Sequence, residues 1–294
     1  GAMANSRAKV TIFSDDGKCV SDPLLMRRAL AYVKSFDGVI AQHAQEPRLT
    51  ENSQMHEGNV SAELGLAGWP SVAEESIIAR DVLLAEATGS RLHICHLSTA
   101  GSVEIIRWAK QRGIKVTAEV TPHHLLLTDE LARTYNPVYK VNPPLRTDAD
   151  VKALREALVD GTIDIVATDH APHPVESKEC EWSAAAFGML GLETADSIAQ
   201  LVLIDSGASN WQRFSEVMSV NPASISRLES QGQTLEVGNV ANIAVIDPST
   251  TRVISGGGAS KSSNQPFEGI ELPGTVIHTI YRGTFSVRDS KLAK

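Results

Sequence analysis

From Lys9 to about Thr168 the chain alternates short runs of β-branched and other apolar residues with longer stretches whose apolar positions return every three or four residues. The first pattern suits strands buried on both faces and the second suits amphipathic helices; their alternation predicts successive βα units around a parallel sheet. Five strands are expected, at Lys9–Phe13, Val39–Ala41, Arg91–Cys95, Ile114–Val120 and Asp164–Ala167. Helices are expected at Leu24–Lys34, between Ser71 and Gly89, at Ser102–Gln111 before Gly113, and at Ala149–Val159 before Gly161. Ser71 and Glu74 have the spacing of a capping box, and Gly89 sits where a C-terminal cap belongs. The exit from the fourth strand, Pro122 to Pro144, reads mostly as loop.

Beyond Asp169 the pattern changes to a long polar loop and then helices around Leu192–Leu203, Trp211–Met218 and Pro222–Arg227. From Gly238 the chain reads as short strands, Ile243–Ile246, Arg252–Ile254 and Val276–Tyr281, separated by Gly, Pro and Ser, with Ser255–Ser263 as a surface loop. The expected division is a catalytic α/β region over residues 1–237 and a small β appendage over 238–294, the latter part of a composite β-sandwich.

Composition narrows the function classes. The 294 residues are 42% hydrophobic and 21% charged, an ordinary globular balance. A formal net charge of -8 without clustered Lys and Arg argues against a nucleic-acid partner. No apolar run reaches the length of a membrane span, and Gly1–Ser6 lacks the features of a signal peptide, so a cytoplasmic location without membrane association is expected. Cys19, Cys95 and Cys180 are odd in number and contain no Cys-x-x-Cys, which predicts reduced thiols and no thiolate metal knuckle.

In parallel α/β architectures chemistry is built at the C-terminal ends of strands. Here those ends carry Ser14-Asp15-Asp16-Gly17, Gln42-His43, Cys95-His96 and Thr168-Asp169-His170-Ala171-Pro172-His173. Side-chain alternation groups His96 with Ile94 and turns His93 and Cys95 the other way. Any one of these residues is accounted for by hydrogen-bonded structure, and Asp-Asp-Gly by a turn, which remains the reading of Asp15. Together, two imidazoles and two carboxylates at one sheet end make a nitrogen and oxygen donor set suited to zinc or a similar divalent ion.

Phe13-Ser-Asp-Asp-Gly, Gln42-His43, His93-Ile-Cys-His96-Leu-Ser, Asn142-Pro-Pro-Leu-Arg146 and Ala167-Thr-Asp-His-Ala-Pro-His173 resemble the motifs of bacterial type I dihydroorotases, in the same order and over nearly the whole length. The resemblance implies a (β/α)8 TIM-type metal-dependent hydrolase barrel. It implies Asp16 as the metal-bridging carboxylate, His43 and His96 as ligands of the more buried zinc, and Asp169 as ligand of the other zinc and general acid/base. Asn142, His173 and the backbone at Phe187-Gly188 would contact the substrate. The implied reaction is the reversible cyclisation of N-carbamoyl-L-aspartate to dihydroorotate in pyrimidine biosynthesis. At most one of the adjacent His123 and His124 could reach such a site, and both are expected to be structural or to support the ligands; His56, His170 and His278 receive no role.

The sequence departs from the family in one respect: no His-x-His occurs, nor the Arg that follows it on the family's first strand. The expectation is therefore an internal start, an incomplete barrel of five βα units with the first three missing, and at most about one tightly held zinc. Such a fragment need not be active alone; it would pair with its own N-terminal segment or self-associate. Two other functions are alternatives: a hydantoinase or allantoinase, which shares the fold and metal chemistry but by resemblance neither Asp16 at the bridging place nor Asn142-Pro-Pro-Leu-Arg146, and a non-catalytic dihydroorotase-like partner of aspartate carbamoyltransferase.

Overall fold

The computed structural model describes residues 1–256 and 258–293. Five parallel strands form its first sheet: β1 (Ile12–Ser14), β2 (Val39–Gln42), β3 (Arg91–Ile94), β4 (Val116–Val120) and β5 (Ile165–Val166), side by side in chain order. All five expected strands are present, with no end shifted by more than three residues. The registers align Phe13 with Ile40, Ala41 with His93, and His93 with Thr117, so the residues that leave each strand emerge at one end of the sheet.

Helices α1 (Pro23–Lys34), α2 (Val72–Thr88), α3 (Ala100–Gln111) and α4 (Asp148–Asp160) pack against this sheet. Their ends follow local chemistry. Asp22 accepts from the Leu25 N–H at 2.6 Å with Pro23 at the first helical position; Thr99 caps α3 through Ser102; Thr147 and Asp150 form a reciprocal capping box on α4, closed by left-handed Gly161. The capping box expected on α2 does not form. Ser71 is itself helical and makes no side-chain cap bond, while Glu74 is buried and accepts from both the backbone N–H and the hydroxyl of Ser98. A tertiary partner has taken the carboxylate that the local motif would have used; Gly89, by contrast, closes α2 in the left-handed conformation as expected.

The core is continuous: Ile40, Leu92, Ile94, Val116, Ala118, Val120 and Val166 from the sheet meet Leu30, Ile78, Val82, Ile106 and Leu154 from the helices. After β5 a long loop leads to α5 (Ala195–Gln200), which continues as a π-helical turn, Leu201–Asp205; α6 (Trp211–Ser215) likewise runs into the π-helical turn Glu216–Val220 and then α7 (Asn221–Ser226). The last part is an antiparallel sheet of β6 (Ile243–Val253), β7 (Glu271–Tyr281), β8 (Thr284–Arg288) and β9 (Lys291–Leu292). The two short strands expected between Ile243 and Ile254 are one strand with irregular pairing, and β8 and β9 are additional to the expected elements. Leu272 of β7 and the neighbouring Ile254 and Phe267 join the main core, which ties this sheet to the α/β region. Gly257, within the expected loop Ser255–Ser263, lies outside the described residues.

Candidate metal centre

Three strand ends bring Asp16, His43 and His96 together. Asp16 lies two residues beyond β1, in a turn where its N–H donates to the Ser14 hydroxyl at 2.9 Å. His43 follows β2 directly, and His96 lies two residues beyond β3 with a left-handed φ of 34°. That backbone conformation costs energy for a non-glycine residue and is most often kept where function needs it. His43 Nδ1 stands 2.9 Å from His96 Nε2, and each stands 3.4 Å from Asp16 Oδ1. Both rings are almost fully buried, whereas the Asp16 side chain is 54% exposed, so the group opens to solvent on the carboxylate side.

The triangle has the size of one face of a metal coordination shell. Donors about 2.0–2.2 Å from a tetrahedral ion stand roughly 3.3 Å from one another, and the three edges here are 2.9, 3.4 and 3.4 Å. Two imidazoles and a carboxylate also form a donor set that zinc accepts. Hydrogen bonds from His43 and then His96 hold Asp16 well below the usual carboxylate range. Burial alone would lower the pKa of His96, but its hydrogen bond to Asp16 and the charges of Asp169 and Glu119 raise it to about 9. The site thus attracts positive charge, as a proton or as a metal cation.

A buried layer supports the ligands. Glu119 of β4 pairs with His93 Nε2 at 2.9 Å through one oxygen and accepts from the backbone N–H of His96 at 3.3 Å through the other. His93 Nδ1 meets the Thr117 hydroxyl at 2.8 Å. Glu119 belongs to no motif in the sequence; its only signal is the alternation of Thr117 and Glu119 with apolar residues in Val116–Val120.

Asp169 leaves β5 with φ 45° and is half-buried. It does not belong to the Asp16–His43–His96 group, but it is close enough to feel the charges of His96, Asp16, Glu119 and His43. Burial, as the first cause, pushes its carboxyl up to about 6. Three of the four residues expected to form the centre are therefore assembled, and the fourth faces them electrostatically.

Comparison with known proteins agrees with this architecture. A family model described as Dihydro-orotase-like matches residues 2–102. The dihydroorotase of Streptomyces coelicolor is 66% identical over 293 residues, covering 99% of this chain and 68% of its own length. That of Leifsonia xyli is 64% identical over 98% of this chain and 66% of its own. The chain belongs to the dihydroorotase family. It spans about two thirds of the length of these relatives. The dihydropyrimidinase of Brevibacillus agri superposes with a TM-score of 0.84 over 99% of this chain and 66% of that one; at 22% identity the likeness is one of fold.

The groups that the dihydroorotase resemblance assigned to substrate lie on two loops. Asn142, joined to Pro143 by a cis peptide, donates from Nδ2 to Gln45 Oε1 at 3.2 Å, while its Oδ1 is buried without a partner. His173 donates from Nε2 to the Phe187 carbonyl at 2.8 Å, and Asn264 links the Ala171 and Gly188 carbonyls. Beside His173 opens a cavity of about 290 Å³ lined also by Lys178, Glu179, Asn264 and Glu268. Asn142 is thus tied to the metal centre through Gln45, whereas His173, Phe187 and Gly188 are tied to one another.

The remaining histidines lie outside the Asp16–His43–His96 group. His124 is buried between the Thr121 hydroxyl and the carbonyls of Pro143 and Pro144, where it steadies the loop carrying Asn142. His123 is buried beside it. His56 packs on Arg146, His170 accepts from Gly191 N–H, and His278 accepts from Asp289 N–H. No helix among the described residues is long and apolar enough to cross a membrane.

Proposed function

We propose that the chain carries the catalytic metal centre of a dihydroorotase, which interconverts N-carbamoyl-L-aspartate and dihydroorotate, with Asp16, His43 and His96 holding zinc. The observation that carries this reading is the compact triangle of those three donors at adjacent strand ends. The five βα units are read as the later part of a (β/α)8 barrel, residues 1–237 as its extent, and residues 238–294 as the β appendage.

When bound, a divalent cation supplies Lewis acidity that polarises the ring amide and brings the ionisation of water near neutral pH. The chain does the rest. His43 and His96 supply neutral donors, and Asp16 supplies a charge on the open side of the group. Asp169, poised to titrate at about 6, takes the proton from the attacking water and delivers it to the departing ring nitrogen. Asn142 offers its unpartnered Oδ1 to a ring N–H, and His173 with the Phe187-Gly188 backbone supplies the further substrate contacts.

Turnover of dihydroorotate, hydantoin and allantoin by the zinc-loaded protein tests the assignment. Ring opening confined to dihydroorotate supports it; preference for hydantoin or allantoin would move the protein to the neighbouring cyclic amidohydrolases. Co-elution with aspartate carbamoyltransferase, without turnover of any of the three, would favour the scaffold reading.

A further inference from the structure

We infer that Gln45 is a positioning residue that sets, with one amide oxygen, both the tautomer of the metal ligand His43 and the orientation of Asn142. The inference rests on the metal site proposed above. Gln45 follows His43 by two residues, so the two side chains leave the extended exit of β2 on one side. Its Oε1 lies 2.7 Å from His43 Nε2 and 3.2 Å from Asn142 Nδ2.

The direction of these bonds is fixed from the far end. The Thr50 hydroxyl has the carbonyls of Glu46 at 3.1 Å and Pro47 at 3.5 Å as partners, and both can only accept. Its proton is therefore committed, and Thr50 Oγ1 must accept from Gln45 Nε2 at 2.8 Å. Gln45 Oε1 thus faces His43 and Asn142 as an acceptor with two lone pairs.

Two consequences follow for the site. His43 must carry its proton on Nε2, which leaves the Nδ1 lone pair facing Asp16 and His96. Asn142 must spend its NH2 on Gln45, which leaves Oδ1 as its acceptor for a ligand N–H. A neutral amide does this without adding charge beside a centre that already holds Asp16.

The test compares zinc affinity of the purified protein and of Gln45→Met, Gln45→Glu and Thr50→Val by competition with a chromophoric chelator, with melting curves to verify folding. Gln45→Met keeps the shape and removes the acceptor, and should lose about 10- to 100-fold in zinc affinity. Gln45→Glu keeps an acceptor and should hold the parent affinity, and Thr50→Val should fall between. Nitrogen NMR of the histidine rings should show His43 as the Nε2–H form in the parent and as a mixture in Gln45→Met. If Gln45→Met binds zinc within about twofold of the parent, or Gln45→Glu loses as much as it does, the inference fails while the metal site stands. If the parent binds no zinc, both fail. Should Gln45→Met not fold, an unchanged affinity in Thr50→Val overturns the inference.

Discussion

His43 Nδ1 and His96 Nε2 face each other at 2.9 Å, although 53 residues separate them in sequence. Two ring nitrogens so placed must share a proton or a cation, and Asp16 closes the third side of the group. Zinc should therefore stabilise the fold, by about 2.7 kcal/mol when free metal exceeds the dissociation constant 100-fold. Thermal melts with zinc, and again after chelation, should show the shift appear and vanish. In His96→Asn the shift should be lost; a shift of parental size would place the metal elsewhere.

Glu119 is the hinge between the centre and the sheet, since it holds His93 through one oxygen and the His96 backbone through the other. Glu119→Gln leaves the shape but removes the charge, and one amide face now presents a donor. A loss of about 1–3 kcal/mol is expected for disturbing a buried charged hydrogen bond. Urea unfolding measures it, and zinc affinity should fall in the same variant because the backbone that presents His96 loosens.

Much of this was legible in the sequence because it rests on local periodicity. The parallel strands announced themselves through apolar runs, and Asp16, His43 and His96 through their places at the strand ends. What escaped depended on contacts between distant segments. Glu74 had the spacing of a capping residue but was captured by Ser98 across the core. Glu119 and Gln45 have no motif of their own; their roles exist only once β4 lies beside β3 and the Asn142 loop folds over the exit of β2. Asp169 shows the converse. Its position in the motif was plain, yet its separation from the donor group is a matter of loop geometry that spacing does not encode.

Gly188 offers a test of the loop that carries His173. Its φ is 137°, and a Cβ there would come within 2.7 Å of both Ala171 Cβ and His173 Nε2. Gly188→Ala should break the bond from His173 to the Phe187 carbonyl and raise KM for dihydroorotate by about tenfold, the effect of roughly 1.4 kcal/mol. Steady-state kinetics decide: a fall in kcat at unchanged KM would show that this loop does not bind the ground-state substrate.

Asp169 should impose an acid limit on hydrolysis. Burial raises its carboxyl to about 6, so above that pH it is ionised and can take a proton, and below it the base is lost. The rate of dihydroorotate hydrolysis should fall about tenfold per pH unit on the acid side, following one ionisation. Asp169→Asn should remove both the activity and the limb, while zinc binding through Asp16, His43 and His96 persists. Activity in Asp169→Asn with the same acid limb would assign the proton transfer to another group.

Stability should have its own acid dependence, from histidines outside the centre. Burial pushes His124 down to about 3 and His56 to about 4, and lowers His123 well below its ordinary value of 6.5. In each case the unfolded chain binds the proton more tightly than the folded one. The contribution is therefore complete above the unfolded pKa of 6.5 and is lost as the pH falls towards the folded values. Each such ring should cost up to about 1.4 kcal/mol per pH unit in that window. The three buried rings should make urea midpoints decline steadily between pH 6 and 4. His124→Gln, which keeps a polar group between Thr121 and the proline carbonyls, should flatten the decline while lowering stability at neutral pH; a slope unchanged in that variant would mean that His124 is not buried neutral.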